Sequence, residues 1–358
     1  MKQRILLLIC FVAFLATTAD IAMAQDVNMK RYIKLSVQMG QSLRFRLQAE
    51  RDATKIKITN GTTEKILSVG TQWSLEEFDS SATELIIYGD LSGFDCGANY
   101  KKIVTLDLKG NPQLTFLSCY NNSLAALDIS ANTELLHLNC SNLGLRSLDI
   151  SKHVKLSVLI CSDNPFKLLD VSRNTELTRL DCDGNDLKSL DVSKNTKLSY
   201  LDCRRNLFSS EALNDLYCSL PDRNGKTPGK IYPLTDKQDK NADVVTASDA
   251  KNARNKKWEV QYYIGLEDIV STGKYTCATA LEENSITSLI YPNPVEDMLY
   301  VRSDEAVMSI TVYDMQGIEV AAARSGQVEL SHLPAGVYLL KLCTASHTKT
   351  VRVFKKKP

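Results

Sequence analysis

Leucines recur along the middle of the chain at fixed offsets. One set stands at Leu114, Leu135, Leu156, Leu177 and Leu198, and a second at Leu117, Leu138, Leu159, Leu180 and Leu201. A cysteine comes two residues later each time, at Cys119, Cys140, Cys161, Cys182 and Cys203, so the period is 21 residues; Cys96 leads after a gap of 23. Asn122, Asn164, Asn185 and Asn206 come next, then Leu124, Leu145, Phe166, Leu187 and Phe208. The copy around Cys140 departs from this frame, with Leu143 where asparagine belongs and Asn142 one place early, which predicts a locally different bend. The alternation x-Leu-x-Cys predicts a short strand in each copy, with leucine and cysteine facing in together. A single turn cannot bury these residues alone, so the turns must stack and cover one another.

Stacked parallel strands lie about 4.8 Å apart, which makes the cysteines a column. They either pair, ligate a metal or pack. Parallel Cβ vectors do not readily reach a disulfide dihedral near 90°. No C-x-x-C pair is present to start a zinc site. Packing as small apolar residues is the favoured reading. The asparagines are expected to satisfy backbone groups in the bend after each strand. A second column, Asp107, Asp128, Asp149, Asp170 and Asp191, needs compensation from Lys109, Lys152, Arg173 and Lys194, from backbone donors, or from calcium; hydrogen-bonded structural aspartates are favoured.

The frame L-x-x-L-x-L-x-x-N-x-L, with cysteine at the third leucine, resembles a leucine-rich repeat. With its "LDCxxNxLxxLDVSxNTxL" wording it is similar to internalin-J-like proteins, over about 91–208. The stretch from "ALNDLYCSLPDRNGKTPGKIY" to "NKKWEVQYY" resembles the segment that comes after such repeats in Bacteroidetes proteins. The resemblance implies a surface adhesin with no catalytic residues to transfer.

Around this core, 25–90 alternates as strands ("YIKLSV", "LRFRLQA", "KIKIT", "ELIIYGDL") and is expected to cap the open end of the solenoid. Residues 209–264 read as the other cap: a helix over 209–220, a strand, then a helix and a strand meeting at Trp258. Cys218 is expected in that cap's core. Residues 265–288 read as a linker in which processing falls. Residues 1–24, with Lys2 and Arg4 before an apolar run and Ala22-Met23-Ala24 at its end, read as a secretory leader cut before Gln25.

The segment 289–358 alternates at strand length between Gly, Pro, Ser and Asp breaks and predicts an immunoglobulin-like β-sandwich. It also resembles the type A C-terminal sorting domain of type IX secretion. The matching residues are Pro292, Asn293, Pro294 and Asp297, "VYDMQG" ending in Gly317, "LPAGVYLLKL" with Pro334, Gly336, Tyr338 and Lys341, and the tail Lys355 to Lys357. That resemblance implies passage through the outer membrane to the cell surface or medium. It also implies contact with the type IX machinery, removal by a sortase and attachment to anionic lipopolysaccharide. The whole is a mostly β chain: a short solenoid with a β cap before it, an α/β cap after it, and a terminal β-sandwich. A cystine between Cys277 and Cys343 is conceivable.

Composition and chemistry narrow the function. With 43 basic and 42 acidic residues the formal charge is +1, which is no footprint for nucleic acid. None of His137, His153, His332 and His347 falls in a recognisable triad motif. "DCDGND" (181–186) places its glycine fourth and lacks a closing glutamate, so it is a poor calcium loop. No cofactor, metal ligand or catalytic residue is expected. The residues able to recognise something point outward from the strands: Phe116, His137, Val158, Arg179 and Tyr200 in one column, Ile160, Asp181 and Asp202 in the next, then Tyr120, Asp183 and Arg204. Exposed aromatics and arginines suit a protein interface, and the acidic group would add charge selectivity. The reading is a secreted adhesin that docks an unidentified protein or cell-surface ligand on its concave strand face. The alternatives are a matrix or surface-layer component without a specific ligand, and an enzyme with an unrecognised site.

Overall fold

The structure, a computed structural model, describes residues 26–277, 289–291, 295–303, 305–324, 326–344 and 348–356. The leader (1–24), residues 278–288 of the expected linker, and Pro292, Asn293, Pro294 and Lys357 lie outside the described residues.

Strands β1 (Tyr32–Val37), β2 (Ser42–Gln48), β3 (Thr54–Asn60), β4 (Thr63–Val69), β5 (Ser74–Asp79) and β6 (Glu84–Tyr88) precede the repeats. The first, irregular turn supplies β7 (Gly93–Asp95) and β8 (Ile103–Asp107). Each regular turn then gives one short strand: β9 (Phe116–Ser118), β10 (His137–Asn139), β11 (Val158–Ile160), β12 (Arg179–Asp181) and β13 (Tyr200–Asp202). These pair in parallel and in register, so Leu117, Leu138, Leu159, Leu180 and Leu201 stack directly.

The caps continue this sheet. After β13 come helix α1 (Ser210–Ser219), strand β14 (Gly229–Leu234), helices α2 (Ala242–Ala247) and α3 (Lys251–Asn255), and strand β15 (Trp258–Tyr262). Strands β14 and β15 extend the parallel ladder at one end, while β2 and β5 close the other end antiparallel, giving the order β15-β14-β13-β12-β11-β10-β9-β7-β2-β5. A second sheet, β4-β3-β6-β1-β8, covers the N-terminal cap, and one hydrophobic core runs unbroken from Ile33 to Ile269. The sequence pattern did not predict β4 or β5. Both are edge strands, and β4 is exposed along most of its length, so neither carries an alternating apolar face.

The six column cysteines are fully buried thiols. Burial pushes Cys140 up to about 12 and raises the others, so they stay protonated and inert. The asparagines do what the bend requires. Asn185 Nδ2 donates to the carbonyls of Cys161, Cys182 and Asp183, and its Oδ1 accepts from Phe166 N–H. Asn164 and Asn206 repeat the pattern. The bend at Leu143 is less different than expected. Asn142 adopts the same left-handed φ (52°) as Asn121, Asp163, Gly184 and Arg205, and Leu143 N–H is taken by Asn164 Oδ1 at 3.3 Å.

The aspartate column is satisfied locally. Asp107, Asp128, Asp149, Asp170 and Asp191 each accept the N–H two residues ahead. Among the described residues no cluster of three or more His, Cys, Asp or Glu is placed to hold a metal ion.

Two expectations for the C-terminal cap need correction. Cys218 is only half-buried, and it forms a disulfide with Cys277, so Cys277 does not pair with Cys343. Residues 265–277 are not linker. Ile269 is buried and its N–H bonds Val260 O, Thr272 N–H bonds Thr246 O, and Tyr275 O–H donates to Asp215. The buried Ile269, with staggered backbone bonds and the cystine, straps this segment onto the cap.

The remaining strands are β16 (Leu289–Tyr291), β17 (Met298–Arg302), β18 (Val307–Tyr313), β19 (Glu319–Ala323), β20 (Gln327–Glu329), β21 (Gly336–Thr344) and β22 (Thr348–Lys355). They form two antiparallel sheets, β16-β17-β20 and β19-β18-β21-β22, around a separate core that includes Leu299, Ile310, Leu340 and Val353.

Candidate functional site

The side chains opposite Leu117, Leu138, Leu159, Leu180 and Leu201 form the solvent face of the ten-stranded sheet. The register puts Phe116, His137, Val158, Arg179 and Tyr200 in one row and Ile160, Asp181 and Asp202 in the next. The expected columns are therefore contiguous in space. Their condition differs from expectation: the aromatics are half-buried, because each leans on a neighbour instead of standing in water.

At the N-terminal end Trp73 meets Phe116 edge-on at 4.8 Å, and Phe116 stacks on His137 at 4.2 Å with the planes 10° apart. Burial and the nearby Arg179 hold His137 below the usual imidazole range, so the stack is neutral. Arg46 lies 5.8 Å from the Trp73 ring and donates from Nε to Asp95 at 2.9 Å. Tyr120 lies apart from this stack, against Gly97; a Cβ there would stand 2.1 Å from the ring. Val158 and Ile160, half-buried, form the middle.

At the other end arginines and tyrosines interleave. Arg179 lies 4.3 Å from the Tyr200 ring centroid, Tyr200 is 5.5 Å from Tyr232, Tyr232 is 5.4 Å from Tyr263, and Arg204 lies 3.6 Å from Tyr263. The acids are not a solvated patch, as the sequence suggested. Asp181, Asp183 and Asp202 are buried under the arginines. Arg179 forks onto Asp181 through Nε at 3.0 Å and Nη2 at 2.6 Å, and Arg204 forks onto Asp202 at 2.8 Å through both nitrogens. Arg204 also reaches Asp183 at 3.5 Å. Arg205 pairs with Asp183 and spans Gly184 to meet Asp163 at 2.9 Å. The span is open because Gly184 lacks a side chain; a Cβ there would lie 2.3 Å from Asp163 Oδ1.

Burial lifts the Asp181 and Asp202 carboxyls above the ordinary range despite these partners. Charge on this face is thus largely cancelled within it. It offers flat ring surfaces and guanidinium edges held in place, and little long-range field.

Sequence reasoning missed Trp73, Arg46, Asp95, Tyr232 and Tyr263. All come from the caps or the irregular first turn, where no period marks the outward positions.

In the C-terminal unit, Gly317 takes φ 77° at a hairpin turn whose Asp314 Oδ1 accepts the N–H groups of Gln316 and Ile318. Tyr338 O–H donates to Pro334 O at 2.8 Å, Gly336 opens β21, and Lys341 pairs across to Thr311 and Thr350. Asp297 lies 3.7 Å from Lys355.

Residues 289–356 match the model of the secretion system C-terminal sorting domain. No curated protein matches the chain. Among solved structures the chain is similar to the functional domain of InlJ from Listeria monocytogenes, described as including a cysteine ladder. That match is at 18% identity over 71% of this chain and 74% of that one, with a TM-score of 0.31. The solenoid is defined by this chain's own parallel strand register. The sorting domain marks the protein for export by type IX secretion to the cell surface or extracellular space.

Proposed function

We propose that the exported protein is an adhesive binding module, and that the solvent face of its ten-stranded sheet docks a protein or other ligand on a cell surface. One observation carries this reading. Aromatic and guanidinium groups, the side chains most concentrated at interface hot spots, form stacks at both ends of one face, around Phe116 and around Tyr200. Their rotamers are fixed before any partner arrives, so little ordering entropy is lost on binding. Selectivity would come from the shape of the stacks and the paired Arg–Asp forks. The secretion machinery reads the terminal sandwich. Sortase removal of that unit and lipopolysaccharide attachment of the remainder are part of the same proposal.

The test is adhesion of beads coated with the full exported chain to a panel of cell types. Tyr200→Ala with Tyr263→Ala should weaken saturable adhesion about tenfold or more while the unfolding midpoint barely moves. Unchanged adhesion, or adhesion lost only in step with the fold, would remove this face from the reading. Beads that clump together yet bind no cell would favour a matrix component.

A further inference from the structure

A second polar ladder runs through the solenoid, at the bend before each strand. Asn111, Asn132, Asn174 and Asn195 are fully buried. Asn132 Nδ2 donates to Leu108 O and Asn111 O, Asn174 Nδ2 to Ile150 O and His153 O, and Asn195 Nδ2 to Val171 O and Asn174 O. The rungs at Asn132, Asn174 and Asn195 therefore each tie their turn to the one before it by two bonds, while Asn111, next to the cap, reaches Gly89 O alone, at 3.5 Å. In the middle of the series stands His153, also buried. Its Nε2 meets Ile129 O at 3.1 Å, which requires a proton on that nitrogen. No bond runs from its ring to Asn132 O, the carbonyl that an asparagine would also reach. Its Nδ1 is buried without a hydrogen-bond partner.

We propose that His153 makes this junction a proton-operated weak point of the solenoid, closed at neutral pH and loosened in mild acid. A neutral imidazole with its proton on Nε2 completes the rung. A second proton, on Nδ1, would place a charge in a buried site where the carbonyl within reach, Ile150 O, already takes His153 N–H at 3.0 Å.

The charged groups around it lie on three successive turns. On its own turn Asp149 is held by Ser151 N–H and Oγ, and Lys152 opposes a further positive charge. On the preceding turn Asp128 is held by Ser130 and lies 3.2 Å from Lys109 Nζ. On the next turn Asp170 accepts from Ser172 N–H, and Arg173 repeats the place of Lys152. Asp128, Asp149 and Lys152 share with His153 a cavity of about 110 Å³, the space a rearranging ring would enter.

Burial holds the imidazole below its ordinary value, against the pull of the Ile129 and Ile150 carbonyls and of Asp149. The unfolded chain then takes up the proton first. Stability is complete above about pH 6.5 and is lost progressively below it, toward the depressed folded value. Each unit of depression is about a tenfold rise in the unfolding constant in acid.

The experiment is urea unfolding of the full exported chain at pH 7.5 and 5.5, beside His153→Asn, which restores the regular rung. The parent should lose midpoint on acidification, and the variant should lose clearly less. Asp181, Asp202 and His137 also titrate, but they are common to both proteins and cancel. Equal acid loss in the two would overturn the proposal. Should the variant fail to fold, histidine-selective nitrogen NMR of the parent decides. A neutral ring with the proton on Nε2 in the folded chain at pH 5.5 supports the proposal, and an imidazolium in a chain still fully folded there overturns it.

Discussion

Replacing Asn185 with alanine isolates what one rung of the asparagine series does. Its amide touches three carbonyls, Cys161 O at 3.2 Å, Cys182 O at 3.0 Å and Asp183 O at 3.3 Å. None of these would be orphaned. Cys161 O keeps Asn164 Nδ2 at 3.1 Å, Cys182 O keeps Asn206 Nδ2 at 3.0 Å, and Asp183 O keeps Asp163 N–H at 2.9 Å. The loss that counts is on the other side. Phe166 N–H has Asn185 Oδ1, at 3.2 Å, as its acceptor, and this site is buried. An unsatisfied buried donor costs roughly 1–3 kcal/mol, and the weakened acceptors add about 1 kcal/mol more. The expected loss is therefore about 2–4 kcal/mol, read as a lower urea midpoint with unchanged slope. Thr175→Ala, at an exposed position, is the control and should stay within about 0.5 kcal/mol. If Asn185→Ala melts like the control, the bends are held by packing and the side-chain bonds are incidental.

The interior and the strap give two further expected outcomes. Cys161→Asp should prevent the solenoid from folding, since a buried unpaired charge has no partner there, whereas Cys161→Ala should fold; circular dichroism of both distinguishes them, and a folded aspartate variant would take the column out of the core. Replacing Cys218 and Cys277 with serine should cost about 2–4 kcal/mol and open the backbone at Lys274 to trypsin. Equal resistance to cleavage in parent and variant would mean that the cystine does not hold the strap.

The repeat was legible because its inward positions are chemically uniform. Leu138, Leu159 and Leu180 make the same contacts in successive turns, so the period survives in the letters. The outward face was half legible. Strand alternation places Phe116, Arg179 and Tyr200 correctly, but says nothing of side chains that bend sideways. Asp181 and Asp202 were expected in water and instead lie beneath Arg179, which reaches forward two residues, and Arg204, which reaches back two. Trp73, Tyr232 and Tyr263 belong to segments used once each, and only the sheet's continuation into the caps brings them alongside. The buried ladder of Asn111, Asn132, Asn174 and Asn195 had a period as clear as that of the cysteines. It is masked because the Asn-Thr pairs at Asn132, Asn174 and Asn195 read as ordinary turns. The partnership of Cys218 with Cys277 had no local signal at all, since 59 residues separate them.

Because each buried amide in these turns reaches no further than its own turn and its immediate neighbours, the ladders impose no long-range bonding scheme. Cutting out the residues after Asn164 through Asn185 would join two chain ends of the same kind, and Asn206 would find in Cys161 O the carbonyl it now finds in Cys182 O. Lineages of such a chain can therefore lengthen or shorten the reach of the face in steps of a whole coil, gaining or losing one row of contact residues at a time while both caps go on fitting.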